Sequence, residues 1–142
     1  MLRALDANGL RIRMQDFGTR ENASSEDKAA AESVVERVCL AVEQLCTEKG
    51  DVRKRLEIAV MTLLPLQVHD FPKSLQSDFD WVLQESTKYK SPHPKFRGDL
   101  EATMKRIKNS TGQKIAQRIF SIYSSIQDIR GFPLLEYRGA DE

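Results

Sequence analysis

Ile115, Ile119, Ile122, Ile126 and Ile129 step along the chain by four, three, four and three residues, and no other feature narrows the fold as much. A strand repeats its faces every two residues and a helix every 3.6, so this spacing gathers all five side chains on one stripe of a helix. The stripe has the a/d form of a seam that packs helix on helix. It spans only about two heptads, too few for a long coiled coil, and so predicts packing in a bundle or against a second copy. Phe120 and Tyr123 stand beside it, and Gly131 with Pro133 stops the helix.

The remaining apolar stretches fit helices that would cover such a seam. Residues 56–68, LEIAVMTLLPLQV, hold the densest run of large apolar side chains in the chain. Ile58, Ala59, Val60, Met61, Leu63, Leu64 and Leu66 leave almost no polar face, which predicts a central helix enclosed on most sides. Asp51 is placed to cap its first turn, Gly50 to end the helix before it, and Pro65 to end or bend it at Leu64.

Upstream, Ser24 followed by Asp27 has capping-box spacing and opens a helix expected to run to Lys49. Ala31, Val34, Val38, Ala41 and Leu45 form its main stripe, with Val35, Cys39, Val42 and Cys46 as a second row alongside. That face is wide enough for two neighbours, while Glu32, Glu36, Arg37, Glu43 and Glu48 fall toward solvent. Downstream, Asp70 and Pro72 begin a third helix with Leu75, Phe79, Val82 and Leu83 inward and Trp81 off the stripe, as a peripheral core aromatic. Pro92 and Pro94 make KYKSPHPKFR, residues 88–97, a loop. Asp99 then caps a helix carrying Leu100, Met104 and Ile107, and the sequence leaves open whether NSTG at 109–112 interrupts it or runs on into the isoleucine helix.

The fold class expected is all-α: a compact bundle of four to five mostly antiparallel helices, residues 25–142 forming a single domain. Residues 1–24 are an N-terminal arm. Within it Leu10, Ile12 and Met14 alternate with Arg11, Arg13 and Gln15 after an Asn8-Gly9 turn signal, a period of two that leaves a short strand and a flexible arm as the two readings.

Composition sets limits on function. At 142 residues, 40% apolar and 30% charged, the chain has the makeup of one globular domain. Its longest nearly apolar run, residues 58–66, falls well short of the roughly 20 residues that cross a bilayer, so no membrane insertion is expected. Arg3, Asp6 and Asn8 interrupt any secretory apolar core, and Asp6, Asp16 and Glu21 argue against a transit peptide; a cytoplasmic location is expected. Cys39 and Cys46 lie seven residues apart on one helix, about 10 Å by helical rise and beyond disulfide reach. They read as small buried apolar residues.

Charge is distributed unevenly. Residues 1–87 hold 11 Lys and Arg against 15 Asp and Glu, net −4; residues 88–118 hold nine against two, net +7; residues 119–142 hold two against four, net −2. The basic block comprises Lys88, Lys90, Lys95, Arg97, Lys105, Arg106, Lys108, Lys114 and Arg118, with Tyr89, His93 and Phe96 interleaved. Clustered cations suit phosphate, and Tyr89 and Phe96 could stack on the bases of single-stranded nucleic acid. The same cations equally suit a solvated face or pairing with the acidic first helix, and no helix-turn-helix spacing, zinc-ligand set or aromatic RNA-binding motif accompanies them.

Catalytic patterns are missing from the sequence. No metal-ligand spacing, glycine-rich phosphate loop or GxSxG elbow occurs, and the chain holds two histidines, His69 and His93. The only acid–base pairing is His69 with Asp70, which helix capping explains as well. No catalytic residue, metal site or cofactor is therefore assigned. The leading expectation is a non-enzymatic helical module for protein–protein contact or regulation. It is expected to self-associate as a homodimer through the isoleucine seam of residues 115–129 or the double apolar face of the first helix. The alternatives are nucleic-acid binding through residues 88–118 and a small enzyme centred on His69.

Overall fold

The computed structural model describes residues 23–91 and 98–134. Among these residues are five α-helices and no strand: α1 (Ser25–Thr47), α2 (Val52–Leu63), α3 (Lys73–Ser86), α4 (Gly98–Arg106) and α5 (Asn109–Arg130), with a 3-10 turn at Val68–Asp70. The all-α bundle read from the sequence is the observed fold. The arm and its two readings lie outside the described residues, as do His93, Lys95, Phe96 and Arg97.

Ser24 Oγ accepts the Asp27 amide at 3.0 Å and so starts α1, as its spacing predicted. The helix buries Ala31, Val34, Val38 and Ala41 and ends at Thr47, two residues short of expectation. Arg55 supplies a reason, since its guanidinium reaches back from α2 and donates to the carbonyls of Leu45 and Gly50, taking up groups that a longer helix would have bonded itself. Gly50 then turns the chain with φ +98°, and an added Cβ would sit 2.9 Å from Lys54 Cβ, so this position requires glycine. Asp51 caps α2 by accepting the amides of Arg53 and Lys54.

The central helix is less enclosed than its composition suggested. Leu56, Ala59, Val60 and Leu63 are buried, but Ile58 and Met61 are half-buried and Leu64 is exposed. The principal neighbours of α2 are α1, α4 and α5, which cover one broad side. Pro65 acts as expected, with the helix ending at Leu63 and Leu64 as its cap.

Asp70 caps the 3-10 turn, accepting the Gln67 amide at 2.8 Å, and α3 starts after Pro72. Phe71 and Phe79 stack face to face with ring centroids 4.2 Å apart, both buried. Asp99 does not close the first turn of α4 as expected. Its carboxylate accepts the Ser91 amide at 2.9 Å and so ties the early part of the 88–97 loop to the start of α4. That hydrogen bond is also the main reason the Asp99 carboxyl titrates below its ordinary value.

The break between α4 and α5 falls at Ile107 and Lys108, where Arg53 Nη1 holds the Ile107 carbonyl at 3.0 Å. NSTG is thus the opening of α5, neither an interruption nor a bridge. Gly112 lies buried under α2, where an added Cβ would approach Val52 Cγ1 to 3.1 Å; the residue that weakens helix propensity allows the two helices to pack closely. Ile115, Ile119, Ile122 and Ile126 are buried and Ile129 is half-buried, so the seam lies at the centre of the bundle. Gly131 ends α5 with φ +96°, and the Phe132 amide closes back on the Gln127 carbonyl at 2.7 Å.

Two cross-links show that α1 runs antiparallel to α5: Glu32 pairs with Arg130, and Cys39 lies beside Tyr123. It also runs antiparallel to α2, since Arg55 bonds near the end of α1 while Arg37 donates to the Thr62 carbonyl. The first and last of the described helices therefore close the bundle side by side.

Candidate functional site

Two surfaces stand out, and the first is the basic block. Of its seven described cations, four have a carboxylate partner from the same chain: Lys88 with Glu85 at 3.1 Å, Lys90 with Asp99 at 3.4 Å, Lys105 with Glu101 at 3.7 Å and Arg118 with Asp78 at 3.1 Å. Tyr89 is half-buried against the core, with Lys88 5.7 Å and Arg106 5.2 Å from its ring centroid. Its amide donates to Thr103 Oγ1 at 2.9 Å. Lys88 and Arg106 thus both lie within cation–π range of this ring.

Arg118 is drawn away from the rest. Its guanidinium lies 4.3 Å from the Trp81 ring and pairs with Asp78, which explains why Trp81 sits off the α3 stripe: it faces α5. Lys108 and Lys114 are exposed near the start of α5. The structure thus groups Lys88, Tyr89 and Arg106, places Lys105 and Lys108 at the α4–α5 corner, and separates Arg118. Exposed ion pairs of this kind contribute about 0–1 kcal/mol each, so a phosphate could displace them, but the neighbouring carboxylates reduce the local positive field.

The second surface is the edge where α1 meets α5. Cys39 and Cys46 are not the small buried residues that the sequence predicts; both are free thiols and exposed. The row of Ala31, Val34, Val38 and Ala41 takes the interior, which leaves the parallel row at the rim. Cys39 lies against the Tyr123 phenol, and burial first, then the Cys39 thiol, pushes that phenol's pKa above its ordinary value. Phe120 is 51% exposed and tilts against Tyr123 at 6.2 Å between centroids.

Ala116, Phe120 and Tyr123 recur at four and three residues along α5, opposite Cys39 and Cys46 at seven along α1. Together they form an apolar strip. Its α1 border is acidic: Glu36 and Glu43, three before and four after Cys39, are exposed and have no ion pair among the described residues. The sequence held the signals for this strip in the second row of α1 and in Phe120 and Tyr123 beside the isoleucines. What it did not show was which apolar row would be left outside.

Nothing at His69 resembles a catalytic arrangement. Its side chain is 76% exposed, with Nε2 3.6 Å from an Asp70 carboxylate that already caps the 3-10 turn. A shallow trough of about 480 Å³ lies elsewhere, between the start of α2 and α4, and its lining mixes Asp51, Glu57 and Glu101 with Arg53, Lys54 and Lys105. The Asp51 carboxyl is held below its ordinary value chiefly by the Arg53 guanidinium. Among the described residues no three His, Cys, Asp or Glu side chains gather as a metal site, and no helix is long and apolar enough to cross a membrane. Comparison with protein-family models, curated proteins and solved structures finds no match.

Proposed function

We propose that this chain is a non-enzymatic helical module that acts by protein–protein contact and self-associates through the α1/α5 edge. The observation that carries the reading is Phe120, a large aromatic half in solvent at the middle of an apolar strip. The isoleucine seam is buried inside the protomer, so a second copy could reach Ile115, Ile119, Ile122 or Ile126 only by opening the bundle. The second row of α1 contributes Cys39 and Cys46 to the strip. Free exposed thiols suit a reducing compartment such as the cytoplasm.

Light scattering across about 1 µM to 1 mM tests the reading, with dimers accumulating in the wild-type chain and not in Phe120→Glu. A wild-type particle that stays monomeric throughout sinks it.

A second reading, nucleic-acid binding, is favoured by one observation: Lys105, Arg106, Lys108 and Lys114 are all exposed around the α4–α5 corner. It requires binding of a labelled single-stranded oligonucleotide that weakens steeply between about 50 and 200 mM salt and disappears when Lys105, Arg106 and Lys108 are changed to Glu. Equal binding by that variant refutes it.

A further inference from the structure

Two cross-links fix the register of α1 against α5. Glu32 pairs with Arg130 and Cys39 lies beside Tyr123, so seven residues forward on α1 match seven residues back on α5. Three more residues on each helix bring Val42 level with Phe120. At that level α1 offers a socket. Cys39, Val42, Glu43 and Cys46 stand at the i, i+3, i+4 and i+7 positions that frame a hole on a helix surface, with Val42 packed against the core and the other three exposed. Two small thiols on the rim leave room for a large ring, and their polarisable sulfurs make favourable contacts with aromatic edges. Phe120, 51% exposed and tilted against Tyr123, leaves this hole open in its own protomer.

A second copy fills the hole without any change of level. A two-fold axis along the groove between α1 and α5 exchanges the two helices and preserves position along them, so the second copy's Phe120 arrives over Val42. A two-fold axis across the groove at this level instead lays α1 on α1 and brings Glu43 against its own counterpart. Charge decides between the two arrangements. Glu36 and Glu43 are exposed and have no ion pair among the described residues, so α1 on α1 sets carboxylate against carboxylate. The outward side of α5 is uncharged around Phe120, with Gln113 and Gln117 before it and Ser124 after it, while Lys114 stands one turn before Arg118 on the side toward Asp78. The glutamine amides can donate to the carboxylates of a facing α1. We propose that two copies pair about a two-fold axis running along the α1/α5 groove, so that Phe120 of each seats in the hole formed by Cys39, Val42, Glu43 and Cys46 of the other. This rests on the self-association reading above and specifies its geometry.

Disulfide trapping tests the register. Gln117 is exposed and falls level with Leu45, next to Cys46, so a thiol introduced by Gln117→Cys comes beside Cys46 of the second copy. The full-length variant is oxidised with copper–phenanthroline at a concentration where light scattering shows dimers, and the bond in any covalent dimer is mapped by mass spectrometry. A link from the introduced thiol to Cys46 is expected, forming about tenfold or more faster than any covalent dimer of the wild-type chain, because the pairing holds those two thiols together. Adding Cys46→Ser should remove it. Circular dichroism should show unchanged helix content, since the Gln117 side chain is exposed. A covalent dimer joined through any other pair of thiols overturns the proposal, and a Cys39 to Cys46 bond in the wild type would place α1 on α1. So does the absence of a covalent dimer where light scattering shows dimers, a result that leaves self-association standing. A chain that is monomeric in light scattering overturns both, so the two readings fail distinguishably.

Discussion

Ile119 and Phe120 are neighbours in sequence and similarly apolar, yet one is 1% exposed and the other 51%. A helix turns about 100° per residue, so consecutive side chains cannot share a face. The comparison teaches that α5 has two apolar sides with different roles: an inner stripe that holds the bundle together, and an outer edge where Ala116 and Tyr123 pack partly against the core but Phe120 stands half in solvent. Hydrophobicity alone does not separate the roles, because the difference lies in which row the neighbouring helices cover.

The largest expected effect falls on the inner side. Ile119→Ala removes a fully enclosed side chain that the surrounding helices cannot collapse to fill, and should destabilise the fold by about 2–5 kcal/mol in urea unfolding. A loss below about 1 kcal/mol would show that the stripe is not the core. Arg118→Ala comes next, since it removes both the Asp78 ion pair and the guanidinium over Trp81. About 1 kcal/mol of stability should go, together with a shift in Trp81 fluorescence. An unchanged emission spectrum would mean that the guanidinium does not cover the ring. Phe120→Ala should change stability by no more than about 0.5 kcal/mol while abolishing dimerisation, the reverse of Ile119→Ala. If it costs as much as the isoleucine, the outer edge belongs to the core and the contrast fails.

The smallest effect concerns acid. The Asp51 and Asp99 carboxyls titrate below the ordinary value of 3.8 in the folded chain, so unfolding makes protons easier to bind at both. Their stabilising contribution is present above that ordinary value and is lost as pH falls through the lowered folded values. The urea midpoint should therefore decline below about pH 4, and less steeply in Asp51→Asn with Asp99→Asn; identical slopes would contradict the assignment. Neither residue lies on α5, so its two sides should respond alike.

Much of the fold was legible because it rests on local rules. The isoleucine spacing, the Ser24 cap, the Asp51 cap, Pro65 and Gly131 each act within a few residues, and each does what its chemistry predicts. The errors share one physical cause. Cys39 and Cys46 lie on an apolar row that could equally have been inside, Ile58 and Leu64 look core-bound by composition, and Asp99 looks like a cap. In every case the outcome depends on packing outside the element itself: where α5 crosses α1, which side of α2 its neighbours cover, and the Ser91 amide across the loop that Asp99 takes instead. The basic block shows the same limit. Its charge was countable, but the pairing of Arg118 with Asp78 joins residues 40 positions apart.

The contact between α1 and α5 also bears on the order in which the chain folds. Glu32 and Arg130 are separated by 98 positions, whereas Arg55 reaches only ten positions back to Leu45 to fasten the turn between α1 and α2. Closing the longer loop costs more chain entropy before any contact compensates for it. The α1–α2 hairpin can assemble from nearby residues, whereas α5 must search across almost the whole described chain for its seat. In a chain leaving the ribosome, the apolar faces of α1, α2 and α3 that its isoleucine stripe packs against stay uncovered until α5 has emerged.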